Sequence, residues 1–245
     1  MIYIVLPAYN EQQALPPLLD EIGASFEESR LPYKILIVND GSTDGTEKII
    51  SAASMRLPII LISHPSNKGL AEALKTGLLA AVQYATGNDV IVTMDSDNTH
   101  TPDLIMRMVR MIREGYDVVI ASRYAKGGKV IGVPFFRRIL SFGSSIIFRT
   151  LFPIRGVKDY TSGYRAYRAK VMKDMFASYG DVFIDEPGFT CMVDILLKMR
   201  KYTLIIGETP LLLRYDKKEG ASKMNVAKTI RQTLKLILKR RFSRI

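Results

Sequence analysis

The residues of this chain best suited to chemistry stand directly after its most apolar runs. Asp95-Ser96-Asp97 follows the run over residues 90–94. Two carboxylates spaced i, i+2 at a strand end can hold a hard divalent cation, Mg2+ or Mn2+, which takes oxygen ligands and completes its shell with substrate phosphates and water. A cation held there neutralises a diphosphate leaving group. The same residues also suit an acidic turn capping the next helix; their company favours a site. Pro7-Ala8-Tyr9-Asn10-Glu11, Asn39-Asp40-Gly41-Ser42 and Ser122-Arg123 each follow an apolar run in the same way. Asp40, at a strand end, can accept a hydrogen bond from a nucleobase edge, while Thr43 and Asp44 read as helix caps. Neither turn fits G-x-G-x-x-G or G-x-x-x-x-G-K-[ST]. A nucleotide would therefore be held through its base, its ribose and a metal-bound diphosphate. His100 reads as packing at a helix start, His64 as part of an ordinary loop and Cys191 as a core thiol.

Positioning those residues requires alternating elements. Strands are predicted over residues 2–6, 33–38, 59–62, 90–94 and 118–121, apolar almost throughout, as strands covered on both faces are. Helices are predicted over 15–28, 43–53, 70–85 and 102–114, the last with Thr101 as N-cap and Pro102 at its first position. Such alternation implies an α/β sandwich with a mostly parallel sheet. Ligands bind outside the carboxyl ends of the strands in such sheets, where the polar runs fall. The second half is less regular, with helices expected over 169–176, 189–200 and 225–241 and short strands over 202–206 and 210–215.

Composition narrows the class. With 245 residues, 47% hydrophobic and 24% charged, the chain can bury a sizeable core and is not disordered. One cysteine excludes an intramolecular disulfide framework. Neither a signal peptide nor an apolar run of transmembrane length is expected. Residues 220–245 carry eight basic and no acidic side chains, leaving only +3 of the net +11 to the first 219 residues. So concentrated and unopposed a charge calls for a counter-surface. Nucleic acid is disfavoured, because no nucleic-acid motif accompanies the basic tail.

Together these motifs resemble glycosyltransferase family 2, of the GT-A fold, and within it the dolichyl-phosphate (polyprenyl-phosphate) mannose synthases. Pro7-Ala8-Tyr9-Asn10-Glu11 matches P-x-Y-N-E. Asn39 to Thr46 resembles D-D-G-S-x-D-G-T, with Asn39 in place of its first Asp. Asp95-Ser96-Asp97 falls where D-x-D belongs, with Thr99 where a Gln is common. Ser122-Arg123-Tyr124 matches S-R-Y, Asp159 to Arg165 resembles D-x-T-S-G-[FY]-R, and Gly220-Ala221-Ser222-Lys223 matches a late G-x-S-K.

The resemblance implies a Rossmann-like three-layer GT-A domain over residues 1–223, with a basic amphipathic helix over 224–245. It implies inverting transfer of mannose from GDP-mannose to a polyprenyl phosphate. Pro7, Tyr9, Glu11, Asp40 and Ser96 would contact the nucleotide sugar. Asp95 and Asp97 would hold the metal, Asp97 foremost. Arg123, Arg137 and Arg214 would surround the donor and acceptor phosphates, Ser141 would hydrogen-bond the acceptor phosphate, and Lys223 would assist. A phosphate acceptor, already ionised near pH 7, needs no general base. Two alternatives keep the family: UDP-glucose or another nucleotide sugar as donor, and a water-soluble sugar hydroxyl as acceptor with Asp185 or Glu186 as base. A prenyl acceptor implies peripheral attachment to the cytoplasmic face of a membrane. The apolar set from Phe135 to Phe152 and the stripe Val226, Ile230, Leu234, Ile237, Leu238 and Phe242 suit an interface. A separate small membrane-anchor subunit is compatible with this reading.

Overall fold

The computed structural model describes residues 1–218 and 226–242. Its strands are β1 (Ile2–Ala8), β2 (Tyr33–Asn39), β3 (Ile59–Ser63), β4 (Val90–Thr93), β5 (Val118–Ser122), β6 (Lys129–Ile131), β7 (Arg165–Arg168), β8 (Ile206–Pro210) and β9 (Leu212–Arg214). Its helices are α1 (Leu15–Ser29), α2 (Thr46–Ala53), α3 (Leu70–Tyr84), α4 (Leu104–Arg113), α5 (Phe135–Leu151), α6 (Ala169–Tyr179), α7 (Thr190–Met199) and α8 (Val226–Phe242). The main sheet runs β3-β2-β1-β4-β7-β5-β8, and β6 pairs with β9 in a separate parallel ribbon.

Strand periodicity explains the three layers. Ile2, Ile4 and Leu6 point to a core shared with α1, α2 and α4. Tyr3 and Val5, one residue out of step, point to the core shared with α3, α5, α6, α7 and α8. The doubly covered strands β1 and β4 thus carry apolar residues almost throughout, and each fully buried Ile or Leu contributes about 1.5–3 kcal/mol. α3 lies close on β1 because Gly77 faces it: a Cβ there would stand 2.4 Å from Val5 Cγ1.

β7 is antiparallel to both neighbours, with Arg165 beside Thr93 of β4 and Ile120 of β5. A reversed strand enters the sheet from the end where its neighbours leave it. Residues 159–163 are thereby delivered to the crevice at the ends of β4 and β5.

Three boundaries depart from the sequence reading. The strand expected over 202–206 lies at 206–210, parallel to β5. Gly207, Glu208 and Pro210 disguise it, and Pro is tolerated because β8 is at the sheet edge. The helix expected from residue 102 begins at Leu104 after Asp103, and no side chain caps it, so Thr101 is not an N-cap. The helix expected from residue 43 begins at Thr46, where Asp44 accepts the Thr46 backbone N–H at 3.0 Å.

The basic C-terminal helix packs on the sandwich. Leu236 is fully buried, and Arg240 makes a bidentate pair with Asp194 of α7 at 2.7 and 2.9 Å. Lys239 reaches Glu186 and Asp185. The charge of this helix is therefore opposed in part from within the molecule, a correction to the sequence reading. No helix among the described residues is long and apolar enough to cross a membrane.

Candidate active site

The end of β2 is a closed hydrogen-bonded knot. Asp40 is buried, and its carboxylate accepts the backbone N–H groups of Lys68 at 3.0 Å and Gly69 at 2.8 Å. His64 Nδ1 lies 2.7 Å from the same carboxylate, and its Nε2 lies 3.0 Å from Thr76 Oγ1. A carboxylate can only accept, so Nδ1 donates to it. Gly41 permits the close approach of this loop: at φ +66°, a Cβ would meet the Ser66 backbone at 2.4 Å. Asp40 thus anchors the 64–69 loop, its carboxylate engaged by three donors. His64, expected in an ordinary loop, is part of that anchor. Asn39 donates to Glu47 at 2.8 Å and accepts the Ser42 N–H at 3.1 Å. An aspartate could not donate to Glu47, which explains the amide here. Pro7, Tyr9 and Glu11 are half-buried beside this knot at the end of β1.

The end of β4 carries the carboxylate pair. Ser96 is buried and donates its hydroxyl to the Pro7 carbonyl at 2.8 Å, tying the turn to β1. His100 stacks on Tyr164 with ring centroids 4.9 Å apart, and its Nδ1 accepts the Asp95 N–H at 3.3 Å. Asn98 takes φ +63°, a left-handed conformation that asparagine tolerates, and this sharpens the turn. Thr99 donates its hydroxyl and N–H to Asp97 Oδ1 at 2.6 and 3.2 Å, and Lys218 contacts Asp97 Oδ2.

The two carboxylates differ. Burial pushes Asp95 above the ordinary carboxylate range and the Asp97 charge adds to that, against the nearby His100, Lys218 and Arg123. Among the described residues, no hydrogen bond reaches its carboxylate. Burial acts the same way on Asp97, but Lys218 and the Thr99 hydroxyl outweigh it and hold its carboxyl below the usual value. Among the described residues, Asp95 rather than Asp97 is the carboxylate left without a hydrogen-bond partner.

Past β5, Arg123 is clamped by Asp159 through Nε at 2.8 Å and Nη2 at 2.6 Å, with Nη2 also on Thr161 Oγ1. Asp159 is fully buried; Arg123 and the surrounding N–H donors overcome burial and keep its carboxyl low. Tyr124 and Ser141 share a hydrogen bond at 2.9 Å, and Arg137 donates to the Tyr215 hydroxyl at 2.7 Å. Among the described residues, Arg137 pairs with no carboxylate.

One cavity of about 1120 Å³ joins these groups. Its walls include Asp95, Asp97, Arg123 and Lys218, then Arg137, Ser141 and Tyr215, and many apolar side chains of α5 and α8. Arg214 is not among its walls. Along β9, Leu211, Leu213 and Tyr215 face the cavity, so strand alternation turns Arg214 away, and it pairs with Asp216 at 2.8 Å. Arg214, expected at the phosphates, is thus paired outside this cavity, while Lys218, which no motif flagged, faces the crevice. Asp185 and Glu186 also lie outside the cavity, held by Lys198 and Lys239. They pin α8 to α7, which removes them as bases. Lys223 lies outside the described residues. Cys191 is buried in the core, with its thiol pushed up to about 12.

A crevice at the carboxyl ends of the strands, lined by paired carboxylates and a clamped arginine, lies where open α/β sheets bind their ligands. Residues 3–176 match the family model of Glycosyl transferase family 2, and the chain belongs to that family. It is 33% identical over 96% of its length to a dolichol-phosphate mannosyltransferase of Pyrococcus furiosus, and spans 62% of that protein. It is 29% identical to a polyprenol monophosphomannose synthase of Mycolicibacterium smegmatis and 30% identical to an undecaprenyl-phosphate mannosyltransferase of Micrococcus luteus, covering 80% and 87% of those chains. In three dimensions it matches glucosyl-3-phosphoglycerate synthase of Mycobacterium tuberculosis, solved with Mn2+, UDP and phosphoglyceric acid, at TM-score 0.69 and 21% identity, over 98% of this chain and 78% of that one. The fold is GT-A, the class the sequence motifs implied.

Proposed function

We propose that the chain transfers mannose from GDP-mannose to a polyprenyl phosphate at a membrane surface, with Mg2+ or Mn2+ as cofactor. The observation that carries this is one cavity lined both by charged side chains (Asp95, Asp97, Arg123, Arg137) and by apolar side chains of α5 and α8, which suits an acceptor with an ionic head and a hydrocarbon tail. The names of the sequence relatives support the same acceptor class and sugar.

The carboxylate pair suits a divalent cation. Asp95 is half-buried in the cavity wall, with no hydrogen bond to its carboxylate among the described residues, a state that a hard cation relieves. Among the described residues no cluster of three or more His, Cys, Asp or Glu could cage a metal alone. That fits Mg2+ or Mn2+ held by Asp95 and Asp97 and completed by donor phosphates and water. Such a cation supplies charge neutralisation for the departing diphosphate.

The chain's own residues do the rest. Arg123, fixed by Asp159, presents a constant positive charge between donor and acceptor. Arg137, with Tyr215 and Ser141, receives the acceptor phosphate. That phosphate is itself the nucleophile, its second pKa being about 6. The attacking oxygen then has no proton to lose, in keeping with Asp185 and Glu186 lying outside the cavity. Pro7, Tyr9 and Glu11 border the nucleotide, with Asp40 holding the loop behind it. The prenyl chain leaves between α5 and α8, whose outer faces meet the membrane. Phe135 is 75% and Phe136 67% exposed.

Labelled GDP-mannose and UDP-glucose, offered in parallel with a short polyprenyl phosphate in detergent, test the proposal. Metal-dependent label in the lipid phase from GDP-mannose alone is expected. Label from UDP-glucose alone overturns the donor, and no lipid label from folded protein with either donor overturns the proposal.

A further inference from the structure

Lys218 belongs to none of the motifs behind the family resemblance, yet its ammonium stands at the donor end of the crevice. The residue closes the short 3-10 turn Tyr215–Lys217, its N–H bonded to the Tyr215 carbonyl at 3.2 Å. Its Nζ contacts Asp97 Oδ2 and lies 5.7 Å from the Tyr215 ring centroid. The side chain is only 14% exposed. Because Thr99 takes the other oxygen of Asp97, Lys218 holds the oxygen that a divalent cation would use.

Two cations cannot share that oxygen without strong mutual repulsion, since like charges about 4 Å apart repel by several kcal/mol at a partly buried site. Arg123 is different, because its guanidinium is locked on Asp159 from two directions. A lysine ammonium is a point charge on a flexible four-carbon stem and can re-aim.

We infer that Lys218 is a tethered counter-cation that competes with the divalent ion for Asp97, so that metal binds tightly only together with the donor diphosphate. The inference rests on the reading of Asp97 as a metal ligand. The incoming diphosphate brings negative charge that draws Lys218 off the carboxylate and onto the phosphate oxygens. Metal and nucleotide then enter as a coupled pair, and an isolated cation is kept out of the crevice.

The test is Mn2+ binding followed by the EPR signal of free Mn2+, on the full chain with and without GDP or UDP. Lys218→Met keeps the length and removes the charge. It is expected to bind Mn2+ alone about tenfold more tightly than the wild type, and to lose most of the nucleotide-induced gain. Lys218→Arg keeps the charge and is expected to stay within about threefold of wild type. Thermal melts confirm that both variants are folded. Equal or weaker Mn2+ binding by Lys218→Met overturns the inference while leaving the metal site intact. Asp97→Ala separates the two claims: if wild type with nucleotide binds Mn2+ no better than Asp97→Ala does, the metal reading itself fails and the inference falls with it.

Discussion

The two ends of the crevice are built on opposite rules. At the ends of β1, β2 and β4, polar groups are held by fixed partners: Asp40 by Lys68, Gly69 and His64, Ser96 by the Pro7 carbonyl, Asp97 by Thr99. Between α5 and α8 the reverse holds. Arg137 has a tyrosine hydroxyl for company, and Phe135, Phe136, Ile139 and Phe142 of α5 are more than half exposed. A preorganised end loses little to reorganisation when charge moves, which suits the departing diphosphate. An open apolar end suits a ligand that brings its own hydrocarbon. The exception at the rigid end is Asp95, half-buried and without a hydrogen-bond partner on its carboxylate among the described residues, the place where the proposed cation would bind.

The largest effect that sharpens this contrast is the loss of a carboxylate. Asp97→Ala is expected to lower transfer by about 1,000-fold in a lipid-extraction assay. Asp95→Asn should be equally inactive yet more stable at neutral pH, by about 0.5–2 kcal/mol in urea unfolding. The sign follows from its raised pKa: an acid titrating higher in the folded than in the unfolded protein costs stability as pH rises through that window. Asp159 is the mirror case. Its lowered pKa contributes stability above the ordinary carboxylate range, lost as pH falls through the folded value. Asp159→Ala leaves Arg123 buried and unpaired, and should cost about 3–5 kcal/mol at neutral pH, a loss that shrinks in acid.

At the open end, effects should fall on binding. Arg137→Ala is expected to lower kcat/KM for the acceptor by about 10- to 100-fold, with an unchanged melting temperature. Replacing Phe135 and Phe136 by Ser should weaken sedimentation with anionic vesicles by about tenfold, with detergent activity retained. The smallest effect is expected of Arg214→Ala, within about threefold of wild type in transfer, because its partner Asp216 is exposed. A loss like that of Arg137→Ala would return Arg214 to the site.

Much of the rigid end was legible in the sequence, because its strands are doubly covered and advertise themselves by unbroken Ile and Val. The first five strands and the polar runs after them fall where periodicity put them. β7 was not legible: Arg165-Ala-Tyr-Arg168 reads as polar, although Arg165 is fully buried with its Nη2 on the Tyr160 carbonyl. Nor was β8, whose Gly and Pro are tolerated only at an edge. Which face a short strand presents depends on its pairing, and so the pairing of Arg214 outside the cavity and the place of Lys218 were unseen. His64 had no signal in sequence, since its partner Asp40 lies 24 residues away. The departures from the family pattern became legible only with neighbours in place: Asn39 answers Glu47, Thr99 orders Asp97, and Asp185 and Glu186 hold the last helix.

The central claim is that one cavity seats a phosphate head and a prenyl tail together. The most direct measurement is kcat/KM for a series of acceptor phosphates carrying one, two and four isoprene units, with a water-soluble phosphomonoester as control, at saturating GDP-mannose and metal. The account predicts a rise of at least about tenfold with the first added unit, from apolar area buried between α5 and α8, and negligible transfer to the control. A flat series, or a control acceptor used as well as the prenyl phosphates, would contradict it.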